Sequence, residues 1–316
     1  MKLSSKKEDF LSNPINKEKF ILLLRKELEK KQIETLQSQH DADILIVKTA
    51  VDRAAHKPVV VIGEDTDILV LLCHYVKQTH EPVFFRSDIR RKKGQQRVWD
   101  IQWLQRSLGD EICRSLLFIH ALTGCDTTSR IFGVGKATAL RRTLLEHAKV
   151  FYQQDSTKEE IIEAGEKAVL RLLNDNPELN SLNDVRFKKF SEKVATSASF
   201  VQVHSLPPTS DACKYHSMRV YLQVQEWTQE NFMLDAEVWG WRKTNGQYEP
   251  RKCDLAPAPP ALLKVIHCGC VTDCSTKRCC CKRLGLQCSV ACENCCGIAC
   301  ANRSSELFLE ESNDDI

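Results

Sequence analysis

The run CGCVTDCSTKRCCCKRLGLQCSVACENCCGIAC at 268–300 constrains the fold more than any other part of the 316-residue chain. It holds eleven of the sixteen cysteines, with Lys and Arg between them and few large apolar residues. A segment of that composition buries too little for an ordinary core, so a bound ligand must supply the folding energy. Disulfides need an oxidising compartment, and the opening MKLSSKKEDF lacks the apolar stretch of a secretory signal. Reduced thiolates at metal-ligand spacing are the reading left, and zinc is the ion they suit. Separate four-cysteine sites are open, but the short spacings favour shared thiolates. Three tetrahedral zinc ions need roughly twelve bonds, and nine cysteines meet that number if three of them bridge.

The rest of the chain reads as α/β. The formal charge of +3 is no nucleic-acid signature, but it is unevenly spread. Residues 264–303 are basic and 304–316 acidic. No run of about 18 apolar residues exists, so no membrane span is expected and the chain reads as intracellular. Residues 17–37 have an amphipathic helical period through Phe20, Leu24 and Leu28, and 41–56 are helical too. PVVVIG (58–63) reads as a buried strand, DTDILVLLCHYVKQ as a helix and PVFFRS (82–87) as a strand, an alternation that predicts a mostly parallel sheet. RRKKGQQR (90–97) reads as a basic turn, and 111–124, 137–147 and 157–228 as helical. In the last of these, Met218 and Leu222 share a core-facing side. A strand and turn follow from 236, and LAPAPPALL (255–263) reads as a stiff linker. The expected divisions are therefore 1–40, 41–150, 151–235, 236–263, 264–303 and a disordered acidic tail, 304–316.

Five aspartates are candidate site residues. Asp41 and Asp43 open one helix, and Asp65 and Asp67 lie beyond the carboxyl end of the VVVI strand, where sites gather in open α/β sheets. Asp126 precedes a later glycine turn. Carboxylates meeting at one place repel unless hard cations intervene, which points to Mg²⁺ or Mn²⁺ and to phosphodiester hydrolysis. Helix capping is the competing explanation, because Asp43 and Asp65 stand where N-caps are expected.

HDADILIVKTA, GEDTDILVLL and TGCDTTSRIFGVGKATAL, in that order, resemble the flap-endonuclease branch of the PIN-like nucleases. The resemblance spans roughly 38–150. It implies a partial PIN-like, Rossmann-like three-layer core with a helical extension. It matches Asp41 and Asp43 to the family's first acidic pair, Asp65 and Asp67 to its second, with Glu64 alongside, and Asp126 to its late aspartate. Nothing in 1–40 matches the family's earlier acids; Asp9 stands in a patternless charged stretch. The chain is therefore expected to start inside the nuclease fold. Two readings follow: a divalent-metal-dependent, structure-selective nuclease, or an inactive DNA- or chromatin-binding adaptor.

The glycines of GVGK are not a nucleotide-binding loop. A P-loop needs a glycine where Arg130 stands and Ser or Thr where Ala137 stands. A helix-hairpin-helix turn fits better, with Gly133 and Gly135 letting backbone N–H groups approach a phosphate, and Lys136, Arg141 and Arg142 adding charge. A ligand-free helix–helix turn is the alternative.

The cysteine module resembles the tesmin-type CXC (CRC) domain, a zinc cluster that is often DNA-binding. The resemblance implies Cys268, Cys270, Cys274, Cys279, Cys281, Cys288, Cys292, Cys295 and Cys300 as ligands. Cys280 and Cys296 are extra, although Cys296 can stand in for Cys295. Arg278 occupies the place where some members carry a groove-entering tyrosine. With Lys277, Lys282 and Arg283 it forms the candidate DNA-contacting set. The pairing of the two domains also resembles a group of animal proteins related to mobile elements. It implies a nuclear location with DNA, and chromatin or protein partners, as the contacts.

Overall fold

A computed structural model describes residues 7–38, 41–88, 97–142, 144–173, 179–196, 203–229, 234–255, 267–271, 273–283, 286–289, 292–298 and 300–303. Nearly all of the expected linker (256–263), the acidic tail (304–316) and residues 90–96 of the basic turn lie outside them. The chain divides into two compact units, Met1–Lys252 and Cys253–Ile316.

The first unit is mixed α/β and rich in helix. It begins with α1 (Lys7–Leu11) and α2 (Pro14–Lys30). Asn13 caps α2 by accepting from the Ile15 and Asn16 backbones, and Pro14 pre-sets the first turn. The predicted amphipathic stripe is present, but α2 has no buried residue, and Phe20 and Leu24 stay about half exposed. Next come α3 (Asp43–Ala54), β1 (Val59–Ile62), α4 (Thr66–Tyr75), β2 (Val83–Arg86) and β3 (Val98–Asp100).

The sheet has the order β1-β2-β3. Val59 pairs with Val83 in a parallel register, whereas Phe85 pairs with Trp99 in an antiparallel one. The sheet is therefore small and mixed, not mostly parallel. β1 is an edge strand. Only Val61 is buried, Val59 is partly buried, and Val60 and Ile62 are about half exposed, so the expectation of a buried strand holds for one of its four residues. An apolar run of this length cannot reveal which strand ends up at the edge.

Helices then take over. α5 (Ile101–Leu108) is capped by Asp100, which accepts from the Trp103 backbone at 2.8 Å. α6 (Asp110–Thr123) is buried continuously from Ser115 to Thr123. The helix expected at 137–147 is two pieces, α7 (Lys136–Leu140) and α8 (Leu145–Tyr152). In one straight helix Ala139 and Leu144 would point about 140° apart. The break between the two pieces lets both be buried.

The span 157–228 likewise divides, into α9 (Lys158–Leu173), α10 (Leu182–Thr196), a 3₁₀ turn (Val203–Ser205) and α11 (Ser210–Thr228). Trp241–Thr244 (β4) and Gln247–Pro250 (β5) form a hairpin about Asn245-Gly246, as that dipeptide favours.

α11 is the least expected element. It buries residues on every side, among them His216, Ser217, Arg219, Gln223 and Gln225. Each of these polar groups is bonded. His216 Nε2–H donates to the Leu122 carbonyl at 2.9 Å, Ser217 Oγ to Cys213 at 2.9 Å and Gln225 Nε2 to Phe151 at 2.7 Å. α11 packs against α6, α8 and α9, and Gly165 of α9 lies so close to it that a Cβ there would sit 2.0 Å from Ser217 Oγ. Residues 151–235 are therefore scaffold for the region that carries the aspartates.

Among its described residues the second unit has no aliphatic core. Its buried cluster among the described residues is eight cysteines, with Cys270, Cys280 and Leu286 packed around them. Its one described helix is α12 (Cys280–Arg283). No described helix in either unit is long and apolar enough to cross a membrane.

Candidate metal centres

The aspartate site forms where two helices begin side by side. α3 and α4 pack together, flanking β1 in sequence, so their first turns meet beyond the carboxyl end of that strand. Asp43, Asp65 and Asp67 each bring a carboxylate oxygen within 4.8 Å of the others. The capping explanation covers one of them. Asp65 is the N-cap of α4 and accepts from the Asp67 backbone at 2.9 Å. Asp43 is not a cap: Ala42 holds that position without a side-chain bond, and Asp41 accepts from the Asp43 backbone at 3.4 Å.

Burial first, then the neighbouring charges of Asp41, Asp65, Asp67 and Asp126, pushes the Asp43 carboxyl up to about 7. Asp126 is shifted the same way by burial and by Asp67, Asp65 and Asp41. Asp126 thus feels the cluster electrostatically, and the charge of Asp41 acts on Asp43 and Asp126, but both residues lie outside the close triad. Glu64 turns away from it, accepting from Ser87 Oγ at 2.8 Å and from the Asp88 backbone at 2.8 Å.

The turn bearing Asp126 is tied down from several directions. Gly124 has φ +114°, and a Cβ there would lie 3.0 Å from the Arg130 Cα, so only glycine fits. Thr128 Oγ1 donates to the Ala121 carbonyl at 2.6 Å and accepts from the Cys125 backbone at 3.1 Å. Thr127 donates to Gln223 of α11.

His120 supports the site and was not a candidate from sequence. It is 2 % exposed and donates from Nε2 to Asp67 Oδ1 at 2.7 Å. Its ring lies 5.8 Å from that of Trp227. A lone histidine in LLFIHALTG, six residues before Asp126, was the available signal. It looks the same as a histidine that merely fills a core.

The glycine turn lies between α6 and α7. No helix leads into it, because 124–131 are irregular, and α7 beyond it has five residues. The expected helix-hairpin-helix is therefore absent. The cause is that Cys125–Thr128 close a turn directly after α6. Gly133 and Gly135 are exposed. Lys136 is half-buried: burial draws its pKa down, while the nearby Asp67 and Asp65 oppose that shift. Its cation belongs to the carboxylate neighbourhood. Arg141 is exposed at the end of α7, and Arg142 is partly buried beside it.

The cysteine cluster is closer and softer. Three overlapping quartets have sulfurs mutually within 4.8 Å: Cys268, Cys274, Cys288 and Cys295; Cys268, Cys279, Cys281 and Cys288; and Cys268, Cys270, Cys274 and Cys279. Cys268 belongs to all three. Sulfur–sulfur distances are 3.7 Å for Cys268–Cys274, 3.8 Å for Cys268–Cys288, 3.7 Å for Cys279–Cys288 and 3.7 Å for Cys281–Cys292. A tetrahedral zinc with sulfurs at about 2.3 Å would hold them about 3.8 Å apart, whereas a disulfide needs about 2.05 Å. The geometry fits metal thiolates.

Cys292 enters through Cys281, and Cys300 lies against Cys295. The two extra cysteines stand apart. Cys280 donates to the His267 carbonyl at 2.7 Å, and Cys296 is exposed where Cys295 is buried, so Cys295 faces the cluster. Burial raises the Cys268, Cys274, Cys281 and Cys288 thiols. Burial acts the same way on Cys279, but the Lys282 backbone N–H and the neighbouring thiols outweigh it and hold Cys279 near 6. Lys277, Arg278, Lys282 and Arg283 are all exposed, with Lys282 Nζ donating to the Ser275 carbonyl at 2.6 Å.

Compared with family models, with curated proteins and with solved structures, the chain matches none.

Proposed function

We propose that the first unit is a PIN-like phosphodiesterase core of the flap-endonuclease type and that the second is a zinc-binding CXC module gripping DNA, in a nuclear protein. The observation that carries the reading is the convergence of Asp43, Asp65 and Asp67 at the mouths of two helices. Asp43, pushed up to about 7 there, gains a partner only when a cation arrives.

The donor set is all carboxylate, which suits Mg²⁺ or Mn²⁺ and not zinc. Such an ion, when bound, supplies charge neutralisation at a phosphodiester and acidifies water. The chain's own residues do the rest. His120 fixes the orientation of Asp67, as a hydrogen-bonded histidine does for a ligating carboxylate. Lys136 adds a cation to which a phosphate can be drawn. In the second unit, the exposed Lys277, Arg278, Lys282 and Arg283 suit contacts with a phosphate backbone.

The test is cleavage of branched and single-stranded DNA with Mg²⁺ or Mn²⁺. Activity that depends on the ion and is lost in Asp65→Ala supports the enzyme. No cleavage with either ion, and no difference in Asp65→Ala, ends it. One observation favours the second reading, an inactive DNA- or chromatin-binding adaptor: only three of the five aspartates close to ligand distance. That arrangement favours one ion over a two-ion pair.

A further inference from the structure

Away from the carboxylates, the first unit has a cavity of about 300 Å³ between the 129–132 segment, α9, the 203–208 segment and α11. Its wall carries Arg130, Arg219 and Lys252, the histidines His204 and His216, and no carboxylate. The remainder is largely apolar.

Arg219 is the telling group. It is only 5 % exposed, yet its partners are two carbonyl oxygens, of Gly240 at 3.0 Å and Arg251 at 2.7 Å, and the face of Trp241. Among the described residues none of the three cations has a carboxylate partner. A buried guanidinium without a counter-ion is costly, and an anion arriving in the cavity would remove that cost. His216 spends Nε2–H on the Leu122 carbonyl, which leaves Nδ1 as an acceptor. At the cavity's edge Phe132 is 58 % exposed and meets the His204 ring edge-on at 5.6 Å. An exposed aromatic of this kind is a stacking platform for a base.

We infer that this cavity binds a nucleotide, with the phosphate drawn to Arg219, Arg130 and Lys252 and the base laid against Phe132. The volume is at the lower end of the about 300–1,000 Å³ usual for ligand pockets, which suits one nucleotide. The chemistry is shared by two sources, a free mononucleotide and the 5′-phosphorylated end of a single strand. The site does not depend on the aspartates, so it stands apart from the phosphodiesterase reading.

The experiment is calorimetric titration of the full-length chain, in EDTA-free buffer without added divalent ion, with AMP, adenosine, inorganic phosphate and a 5′-phosphorylated trinucleotide. AMP or the trinucleotide should bind, and adenosine and phosphate alone about tenfold or more weaker. Tighter binding of AMP assigns the site to free nucleotides, and tighter binding of the trinucleotide to strand ends. Arg130→Gln and Lys252→Gln change exposed side chains and should keep the fold. Each should weaken binding about 10- to 100-fold, the worth of one hydrogen bond to a charged group. Phe132→Ala should weaken AMP binding more than phosphate binding. Asp65→Ala should bind as the parent does, so that loss of cleavage and loss of this site separate. No saturable binding of either nucleotide, or binding unchanged in the Arg130→Gln/Lys252→Gln double variant, overturns the inference.

Discussion

The two candidate metal centres differ in what lies beneath them. The carboxylates of Asp43, Asp65 and Asp67 sit at the rim of a unit whose interior is filled by Leu71, Phe118, Phe151, Tyr221 and their neighbours. That unit has reason to fold with or without an ion. Among the described residues the cysteines of 268–300 have no such interior beneath them; the buried cluster is eight of the cysteines themselves. In one unit an ion would join a finished structure; in the other an ion held by the cysteines would have to hold the structure together. Chemistry follows position: hard oxygens half in water on one side, soft sulfurs shut away from it on the other.

The largest expected difference between the two units is their response to a chelator. Chelation of zinc should unfold residues 268–303 while the first unit keeps its hydrogen-exchange protection, because structural zinc contributes about 10–16 kcal/mol in small zinc domains. Cys268→Ser should do the same, since that sulfur belongs to every quartet, whereas Cys296→Ser should retain the full zinc complement. Metal content by atomic emission reads both. Equal loss in the two variants would contradict the assignment of Cys295.

A smaller effect belongs to His120. His120→Asn should lower the affinity of the carboxylate site for Mn²⁺ about 10–100-fold, as loss of a ligand-orienting partner does, and leave zinc content untouched. Mn²⁺ titration followed by electron paramagnetic resonance measures it. An unchanged affinity would make His120 a core residue only.

A further effect is a pH dependence. Asp43 has its carboxyl raised from 3.8 to about 7 in the fold. Below about pH 4 it is protonated in both folded and unfolded chains; between that and about pH 7 the folded chain holds a proton the unfolded chain has lost, so stability falls as pH rises. Denaturant midpoints of the first unit, measured without divalent ions, should therefore decline from about pH 5 to about pH 7.5. Mg²⁺ should flatten the decline by expelling that proton, and Asp43→Asn should remove it. A slope that persists in Asp43→Asn would assign the dependence elsewhere.

Much of the local structure was legible. Helices at Asp43–Ala54 and Thr66–Tyr75, and strands at Val59–Ile62 and Val83–Arg86, follow from period and punctuation, which are properties of neighbours in sequence. α11 was not legible in the same way. Its Arg219, Gln223 and Gln225 look like solvent-facing residues, and only their carbonyl and side-chain partners on other elements make burial tolerable. β3 is three residues long and pairs antiparallel, too short to signal its direction. The break after Leu140 depended on two buried side chains that one straight helix could not satisfy.

By itself the sequence pointed to a metal in residues 268–300, because their composition offers too little apolar surface for an ordinary core. It also set where the aspartate-bearing helices begin. Tertiary structure alone decided that Asp43 joins Asp65 and Asp67 while Asp41 and Asp126 stay outside the close triad. It also chose Cys295 over its neighbour, brought Lys136 within electrostatic reach of Asp67 and Asp65, and put His120 behind Asp67. The reason is physical: a ligand set is a convergence in space to within a few ångströms, and spacing along a chain sets which side chains are available, not which of them meet.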